Sequence, residues 1–238
     1  MKLRVEQTAL WVGEGSSALA PAGILAPRER SRASRLTRAF AEVYAQLLSK
    51  LDGEASCASV FASSYGEIEA VKPLLEQVVD PSSDVSPLRF SASVHNAASG
   101  RLSIATSDRG FCTSIAAGLE TMPAAWIEAA GLIASGWSRV ALVIGEEVVP
   151  APLGSGDTHP FAAGLLLSAS GQARVDSREP REPSTHIELR PGSGPSRVLI
   201  GAHVGTELLE VMQILDAGCP GEVLFSAGRW RIVIECST

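Results

Sequence analysis

The chain has 238 residues, of which 45% are hydrophobic, enough to bury a core in one large or two small domains. Its 20 Lys and Arg residues against 26 Asp and Glu residues give a formal net charge of -6, so the concentrated basic surface that nucleic-acid binding requires is not expected. Glu146 and Glu147 interrupt the apolar run over 140–149, and no run reaches the roughly 20 apolar residues of a membrane span.

Cysteine spacing and the first residues indicate a reducing compartment. The four cysteines, Cys57, Cys112, Cys219 and Cys236, show no CxxC spacing. Residues 1–12 lack the apolar core of a secretory leader, so we expect a cytoplasmic protein. Asp157 and His159 are too few to form a metal site, and no dinucleotide or P-loop fingerprint is present; we therefore expect neither metal nor cofactor.

The first half of the chain alternates between strand and helix patterns. Apolar alternation predicts a strand over 2–12, and helical spacing predicts a helix over 28–51. A buried strand is predicted over 56–64 and a helix with an internal proline over 67–79. The helix predicted over 28–51 begins with five arginines, which form either a solvated helix face or a docking patch for an acidic partner. They are Arg28, Arg30, Arg32, Arg35 and Arg38.

The middle of the chain continues this pattern, which is typical of an α/β fold. After a loop over 80–87, a short helix over 90–100 is expected to end at its glycine, and 101–106 continues towards a turn. A strand of small residues over 111–118, a helix over 120–135 and a fully buried strand over 139–147 follow.

The last part of the chain is less regular, although we treat 1–238 as a single domain. Residues 161–170 predict a buried strand, and 176–195 form a proline-rich, flexible excursion around a short strand. A helix over 206–215 and a hairpin that joins 221–228 to 229–237 close the chain, and the sequence assigns no role to this region.

Few side chains carry recognisable chemistry. Cys112 is either a buried filler among small residues or a thiol nucleophile, and no histidine is its neighbour in the sequence. His95 with Asn96 is a helix-end hydrogen-bonding pair or part of a pocket or interface, and His203 suits helix capping or an imidazole catalyst. Adjacent strand residues point to opposite faces, so Glu146 and Glu147 make a poor acid/base pair.

The stretch SVHNAASGRLSIATSDRGFCTSIAAGLETM, over 93–122, resembles the active-site region of β-ketoacyl synthases, the condensing enzymes of the thiolase-like fold. In that family an Asn and a small-x-Gly precede an LSI strand, an Arg-Gly turn and a strand that ends at the acyl-accepting cysteine. When the family's pattern is aligned with this sequence without gaps, its nucleophile position falls on Leu119, while Cys112 lies seven residues earlier. The pieces that match are Gly100, Leu102–Ile104, Arg109–Gly110 and Ser114–Ala116.

The resemblance implies the N-terminal half of a condensing-enzyme fold, a mixed sheet with a buried helix. Because leucine cannot carry a thioester, it also implies no catalytic residue. Segments 60–67 and 93–100 are similar to short β-ketoacyl-synthase-like proteins of type II polyketide and aryl polyene clusters. In such systems a cysteine-less chain-length factor pairs with an active ketosynthase, so the expected partners are that ketosynthase and, through the complex, an acyl carrier protein in polyketide or fatty-acid-like biosynthesis.

The resemblance also implies positions for the contacts. The expected subunit interface comprises Thr113, Ser114, Ile115, Ala116 and Ala117, with His95 and Asn96 as further candidates. Residues expected to line or block the acyl tunnel, or alternatively to pack in the core, are Phe111, Leu119, Met122 and Trp126. Two other hypotheses stay open: an acyltransferase of the 3-oxoacyl-[acyl carrier protein] synthase type that uses Cys112, and a self-associating half-domain or homodimer.

Overall fold

The computed structural model describes residues 1–49, 51, 57–80, 82, 84–154, 159–170, 184–192, 206–225 and 229–237. Its strands are β1 (Lys2–Val12), β2 (Cys57–Ala62), β3 (Cys112–Ile115), β4 (Arg139–Glu146), β5 (Phe161–Ala169), β6 (Ser184–Pro191), β7 (Gly221–Phe225) and β8 (Trp230–Ser237). Its helices are α1 (Pro27–Arg30), α2 (Arg35–Leu48), α3 (Ile68–Val79), α4 (Pro87–Ser93), α5 (Ala97–Thr106), α6 (Thr121–Ala134) and α7 (Thr206–Asp216).

The described strands form one mixed sheet in the order β3-β2-β4-β5-β1-β6-β8-β7. Strands β2, β3 and β4 are parallel, whereas β5 runs antiparallel to both β4 and β1. The remaining strands pair antiparallel with their neighbours. The predicted α/β class, with its mixed sheet, is confirmed.

Helices cover the two faces of this sheet unequally. On one face α6 and α7 pack over the strands, and Trp126 of α6 is only 1% exposed. On the other face α2 lies close to β5, because a Cβ at Gly164 would stand 2.5 Å from Cγ1 of Val43. The predicted buried helix is therefore present as α6, directly after β3 in the chain.

Two predicted helices have different boundaries. The helix expected over 28–51 is divided into α1 and α2, because Ser34 accepts a hydrogen bond from the Thr37 amide at 2.9 Å and starts a new helix. The helix expected over 90–100 was wrong in both limits. Ser86 and Pro87 begin α4 earlier, and α5 runs through Gly100 to Thr106, so the segment expected to match an LSI strand is helical.

The C-terminal region contributes more to the sheet than its composition suggests. Within the excursion predicted over 176–195, β6 is a strand of eight residues between β1 and β8; residues 176–183 and 193–195 lie outside the described part. The predicted final helix and hairpin are present as α7 and as β7 with β8. None of the described helices is both long enough and apolar enough to cross a bilayer.

Candidate functional site

The junction between β3 and α6 is where the resemblance places a nucleophile. A 3-10 turn over Gly118–Glu120 links the two elements, and Gly118 has φ +56°, a left-handed conformation that favours glycine. Leu119 follows in this turn and is 46% exposed. The position therefore presents an aliphatic side chain to the surface at the carboxyl end of a parallel strand.

Hydroxyl groups beside Leu119 support the turn. Thr121 Oγ1 accepts from the Ala117 amide at 2.9 Å and donates to the Gly118 carbonyl at 2.7 Å. Ser64 Oγ, from the loop after β2, also donates to the Gly118 carbonyl at 2.9 Å. These contacts hold the backbone of the junction in place.

Among the described residues, His95 and Cys112 lie at opposite ends of β3. His95 Nε2 lies 3.2 Å from the Ile115 carbonyl, which assigns the proton to Nε2, and its ring packs over Gly66. Cys112 stands at the other end of β3 and is exposed, so the interpretation as a buried filler was wrong. It begins β3, which pairs with β2 and is an edge strand of the described sheet. His203 lies outside the described residues, and no group of three or more His, Cys, Asp or Glu among those described could hold a metal ion.

The edge formed by β3 brings the expected interface residues together. Among the described strands, β3 pairs only with β2 and is the end strand of the sheet. The Ser114 hydroxyl lies 3.0 Å from that of Ser99 in α5, and His95 contacts the Ile115 carbonyl. Asn96 is exposed and precedes α5 without a side-chain capping bond. Thr113, Ser114 and Ile115 are half-buried, whereas Ala116 and Ala117 are exposed.

Exposed apolar side chains lie on α4 and on α5, and α5 contacts β3. Helix α4 contacts α3 and α5 but contains no buried residue, and its Leu88 and Phe90 are 68% and 60% exposed. Ile104 of α5, which contacts β3, is 81% exposed. A helix of seven residues depends on tertiary packing for its stability, and the main contacts of α4 among the described elements are with α3 and α5. The sequence placed Ile104 in a strand and did not single out Leu88 or Phe90.

The four candidate tunnel residues do not lie on one surface. Phe111 precedes β3, is 41% exposed and packs its ring 6.3 Å from that of Trp137. Leu119 is exposed at the opposite end of β3. Met122 and Trp126 are each 1% exposed and belong to the core between α6 and the sheet. Phe111 and Leu119 are therefore accessible to another molecule, whereas Met122 and Trp126 contact this chain's own interior.

Two glutamates at the end of β4 hold the loops around the junction. Glu146 accepts from the Ser63 hydroxyl at 2.8 Å and from the amides of Ser64 and Tyr65. Glu147 instead accepts from the amides of Leu36 and Glu69. Both side chains are buried, and burial is the largest influence that raises their pKa values. Their different partners agree with the expectation that they do not act as an acid/base pair.

Comparisons with known proteins identify the fold. A family model described as "Beta-ketoacyl synthase, N-terminal domain" matches residues 5–197. The structure is similar to a chain of the ketosynthase (ApeO) in complex with its chain length factor (ApeC) from Xenorhabdus doucetiae, with a TM-score of 0.72 and 18% identity over 99% of both chains.

Two further structures have the same fold. The ishigamide ketosynthase/chain length factor gives a TM-score of 0.59 and 17% identity over 81% of this chain and 68% of the other. A type II acyl-carrier protein in complex with its ketosynthase bound to the hexaketide, AntDE:AntF, gives 0.55 and 13% identity over 70% and 62%. A search of curated protein sequences finds no match. The fold predicted from the sequence is confirmed.

Proposed function

The chain belongs to the family of β-ketoacyl synthase N-terminal domains, and we propose that it is a non-catalytic subunit of the chain-length-factor type, which pairs with an active ketosynthase and bounds its acyl tunnel. The observation that carries the proposal is Leu119, which stands in the turn between β3 and α6 where a condensing enzyme needs a thiol. A thioester cannot form on leucine, so any acyl chain must be held by the partner. The proposed setting is polyketide or aryl polyene biosynthesis.

The proposed interface is centred on β3. An edge strand offers unpaired backbone groups that a strand of another chain can bond. Exposed apolar area is added by Ile104 of α5, which contacts β3, and by Leu88 and Phe90 of α4, which contacts α5. Aromatic and aliphatic side chains in the centre of an interface contribute most of its binding free energy. The complexes named for two similar structures, each a ketosynthase with a chain length factor, make a ketosynthase the favoured partner.

The tunnel contacts in this proposal belong to exposed residues. Leu119 and Phe111 are accessible, so they can meet an acyl chain held mainly by the partner. We expect Leu119→Ala to lengthen the product and Leu119→Trp to shorten it, measured by mass spectrometry of the product of the reconstituted pair. Met122→Leu, a volume-conserving change in the core, serves as the control and leaves product length unchanged. Unchanged products in both Leu119 variants would remove this residue from the tunnel.

The arginine-rich segment is the proposed contact for an acyl carrier protein within the complex. Arg28 and Arg32 are exposed, and neither has a carboxylate partner among the described residues. Arg35, in contrast, pairs with Glu69 at 2.7 Å. Replacement of Arg28 and Arg32 by Glu is expected to weaken binding of the carrier protein to the complex, as measured by calorimetry. The same replacement at Arg231, on β8, is the control and should leave this binding unchanged. Equal affinities would exclude this contact.

Two exposed thiols allow a direct test of the interface. Cys112 begins β3, whereas Cys219 follows α7, and both are exposed. In the isolated chain iodoacetamide should alkylate both cysteines, as measured by peptide mass spectrometry. In a complex purified after co-expression with a ketosynthase, Cys112 should be protected and Cys219 should react as before. Equal reactivity of Cys112 in both samples, or no stable complex with any candidate ketosynthase, would contradict the proposal.

The remaining hypotheses give different results in the same preparation. An acyltransferase that uses Cys112 predicts an acyl adduct on the isolated chain that is lost in Cys112→Ala, and exposure of this thiol keeps that alternative open. A self-associating half-domain predicts protection of Cys112 in the isolated chain at high concentration, without a ketosynthase.

A further inference from the structure

Two buried glutamates meet the starts of α2 and α3. Glu67 and Glu147 are each 1% exposed. Glu147 binds the amides of Leu36 in α2 and Glu69 in α3, while Glu67, which directly precedes α3, binds the side chain of Thr37 in α2. Their carboxyl groups therefore occupy the same narrow space between two helix ends and the end of β4.

The hydrogen bonds of Glu147 favour its ionised form. Oε1 accepts from the Leu36 amide and Oε2 from the Glu69 amide, both at 2.9 Å. Each amide belongs to the first turn of a helix, where the partial positive charge of the helix dipole adds to the stabilisation of an anion. Both oxygens act as acceptors, so Glu147 has no need of a proton.

Glu67 is approached by the hydroxyl groups of Thr37 and Ser34 rather than by backbone amides. Oε1 accepts from the Thr37 hydroxyl at 2.7 Å. Oε2 is buried and has no hydrogen-bond partner among the described residues. A negative charge shared with an unpartnered, buried oxygen is costly, and it would lie beside the carboxylate of Glu147.

We infer that Glu67 is held as a neutral carboxylic acid beside an ionised Glu147, so that this pair joins the starts of α2 and α3 to the end of β4 with a single negative charge. The inference concerns the folding of this chain and is independent of the proposed pairing with a ketosynthase. Loss of the Glu67 proton, as pH rises through its folded-state pKa, places two buried anions between the helix ends and weakens their attachment.

Other charged groups around the pair act in both directions. Burial raises the pKa of Glu67, while the Ser34 and Thr37 hydroxyls and the nearby basic side chains of Arg101 and His95 lower it. Burial and the neighbouring carboxyl group of Glu67 raise the pKa of Glu147 as well, against the lowering effect of its two amide donors; Glu69 also raises it, but is paired with Arg35. Glu146 faces a different loop. The pair as a whole favours one bound proton, and the donors place it on Glu67.

The proton gives stability a defined pH dependence. The pKa of Glu67 is raised in the folded state above its ordinary value of 4.5, so the folded chain binds more protons than the unfolded chain between these two values. The stabilisation that this proton contributes is therefore fully present below the ordinary pKa of a glutamic acid and is lost as pH rises through the folded-state pKa of Glu67. One proton changes the unfolding equilibrium constant by at most about tenfold per pH unit in this window.

Urea unfolding of the full chain between about pH 5 and about pH 9 tests this inference. Glu67→Gln imitates the neutral acid and should reduce the pH dependence by one proton while it keeps stability at neutral pH. Glu147→Gln places an amide nitrogen against a backbone N–H and should lower stability at every pH. Glu76→Gln, on the exposed side of α3, is the matched control and should follow the wild-type curve.

Infrared spectroscopy at neutral pH assigns the proton directly and does not require Glu147→Gln to fold. The carbonyl band of a protonated carboxylic acid should be present in the wild type and lost in Glu67→Gln. The inference is overturned if Glu67→Gln retains this band together with the wild-type pH dependence. A band that persists in Glu67→Gln and disappears in Glu147→Gln would also overturn it, because the proton would then belong to Glu147.

Discussion

Helix α5 offers a pair of apolar residues that separates stability from partner binding. Leu102 is 0% exposed and belongs to the core beneath α2, whereas Ile104, two residues later, is 81% exposed. Leu102→Ala removes buried side-chain atoms and leaves a cavity, which costs about 2–5 kcal/mol of unfolding free energy. Ile104→Ala removes atoms that are mostly in water and should change the unfolding free energy by less than about 0.5 kcal/mol.

For binding to a ketosynthase, in contrast to unfolding, we expect Ile104→Ala to have the larger effect of the two variants. Full burial of an isoleucine side chain is worth about 1.5–3 kcal/mol, and 81% of this residue is still exposed in the isolated chain. If the partner covers it, truncation to alanine should remove about 1–2 kcal/mol of binding free energy, or about a tenfold increase in Kd.

Urea unfolding of the isolated variants and calorimetric titration with the ketosynthase measure the two quantities. The proposed interface requires that Ile104→Ala weakens binding while its unfolding curve stays that of the wild type. If binding is unchanged, this side of α5 lies outside the interface. If Ile104→Ala unfolds as easily as Leu102→Ala, the residue is packed within the chain and the reasoning from exposure fails.

Three further predictions concern folding. Gly164→Ala should destabilise the chain by about 1–3 kcal/mol, because the new Cβ meets Val43. Gly131→Ala, in an open position on α6, should instead stabilise the chain by about 0.5–1 kcal/mol. Urea unfolding of both variants compares the two effects. Ser34→Ala removes the cap of α2 and should cost about 1 kcal/mol in the same assay. Met122→Ala should lower the unfolding free energy by about 2–5 kcal/mol, since its side chain lies in the core, and a value near zero would show that α6 is not held there.

The elements predicted well from the sequence are those whose burial is uniform. β4 and β5 are apolar almost throughout, and both lie in the middle of the sheet with helices on each side. α2 has its apolar residues on one side, and the structure buries that side. In these segments the local pattern and the tertiary environment agree, so periodicity is sufficient.

The segments around the site were predicted less well because their local pattern disagrees with their environment. α4 exposes Leu88 and Phe90 and buries nothing, so no hydrophobic period marks it. Cys112 stands among small residues typical of a core, yet it lies on an edge. The role of Glu67 arises from contacts with α2, thirty residues earlier, and no local spacing signals them.

These disagreements and the missing nucleophile indicate the same conclusion by separate routes. The chemical route depends on Leu119 alone, and a change of one side chain could produce it in a protein that acts by itself. The physical route depends on α4 and Ile104, whose apolar side chains stay exposed although α4 contacts α3 and α5. Such a surface suits a chain that binds a second subunit, whether a ketosynthase or another copy of itself. Of these two partners only a ketosynthase would supply the thiol that Leu119 cannot, so the two features together favour the proposed pairing.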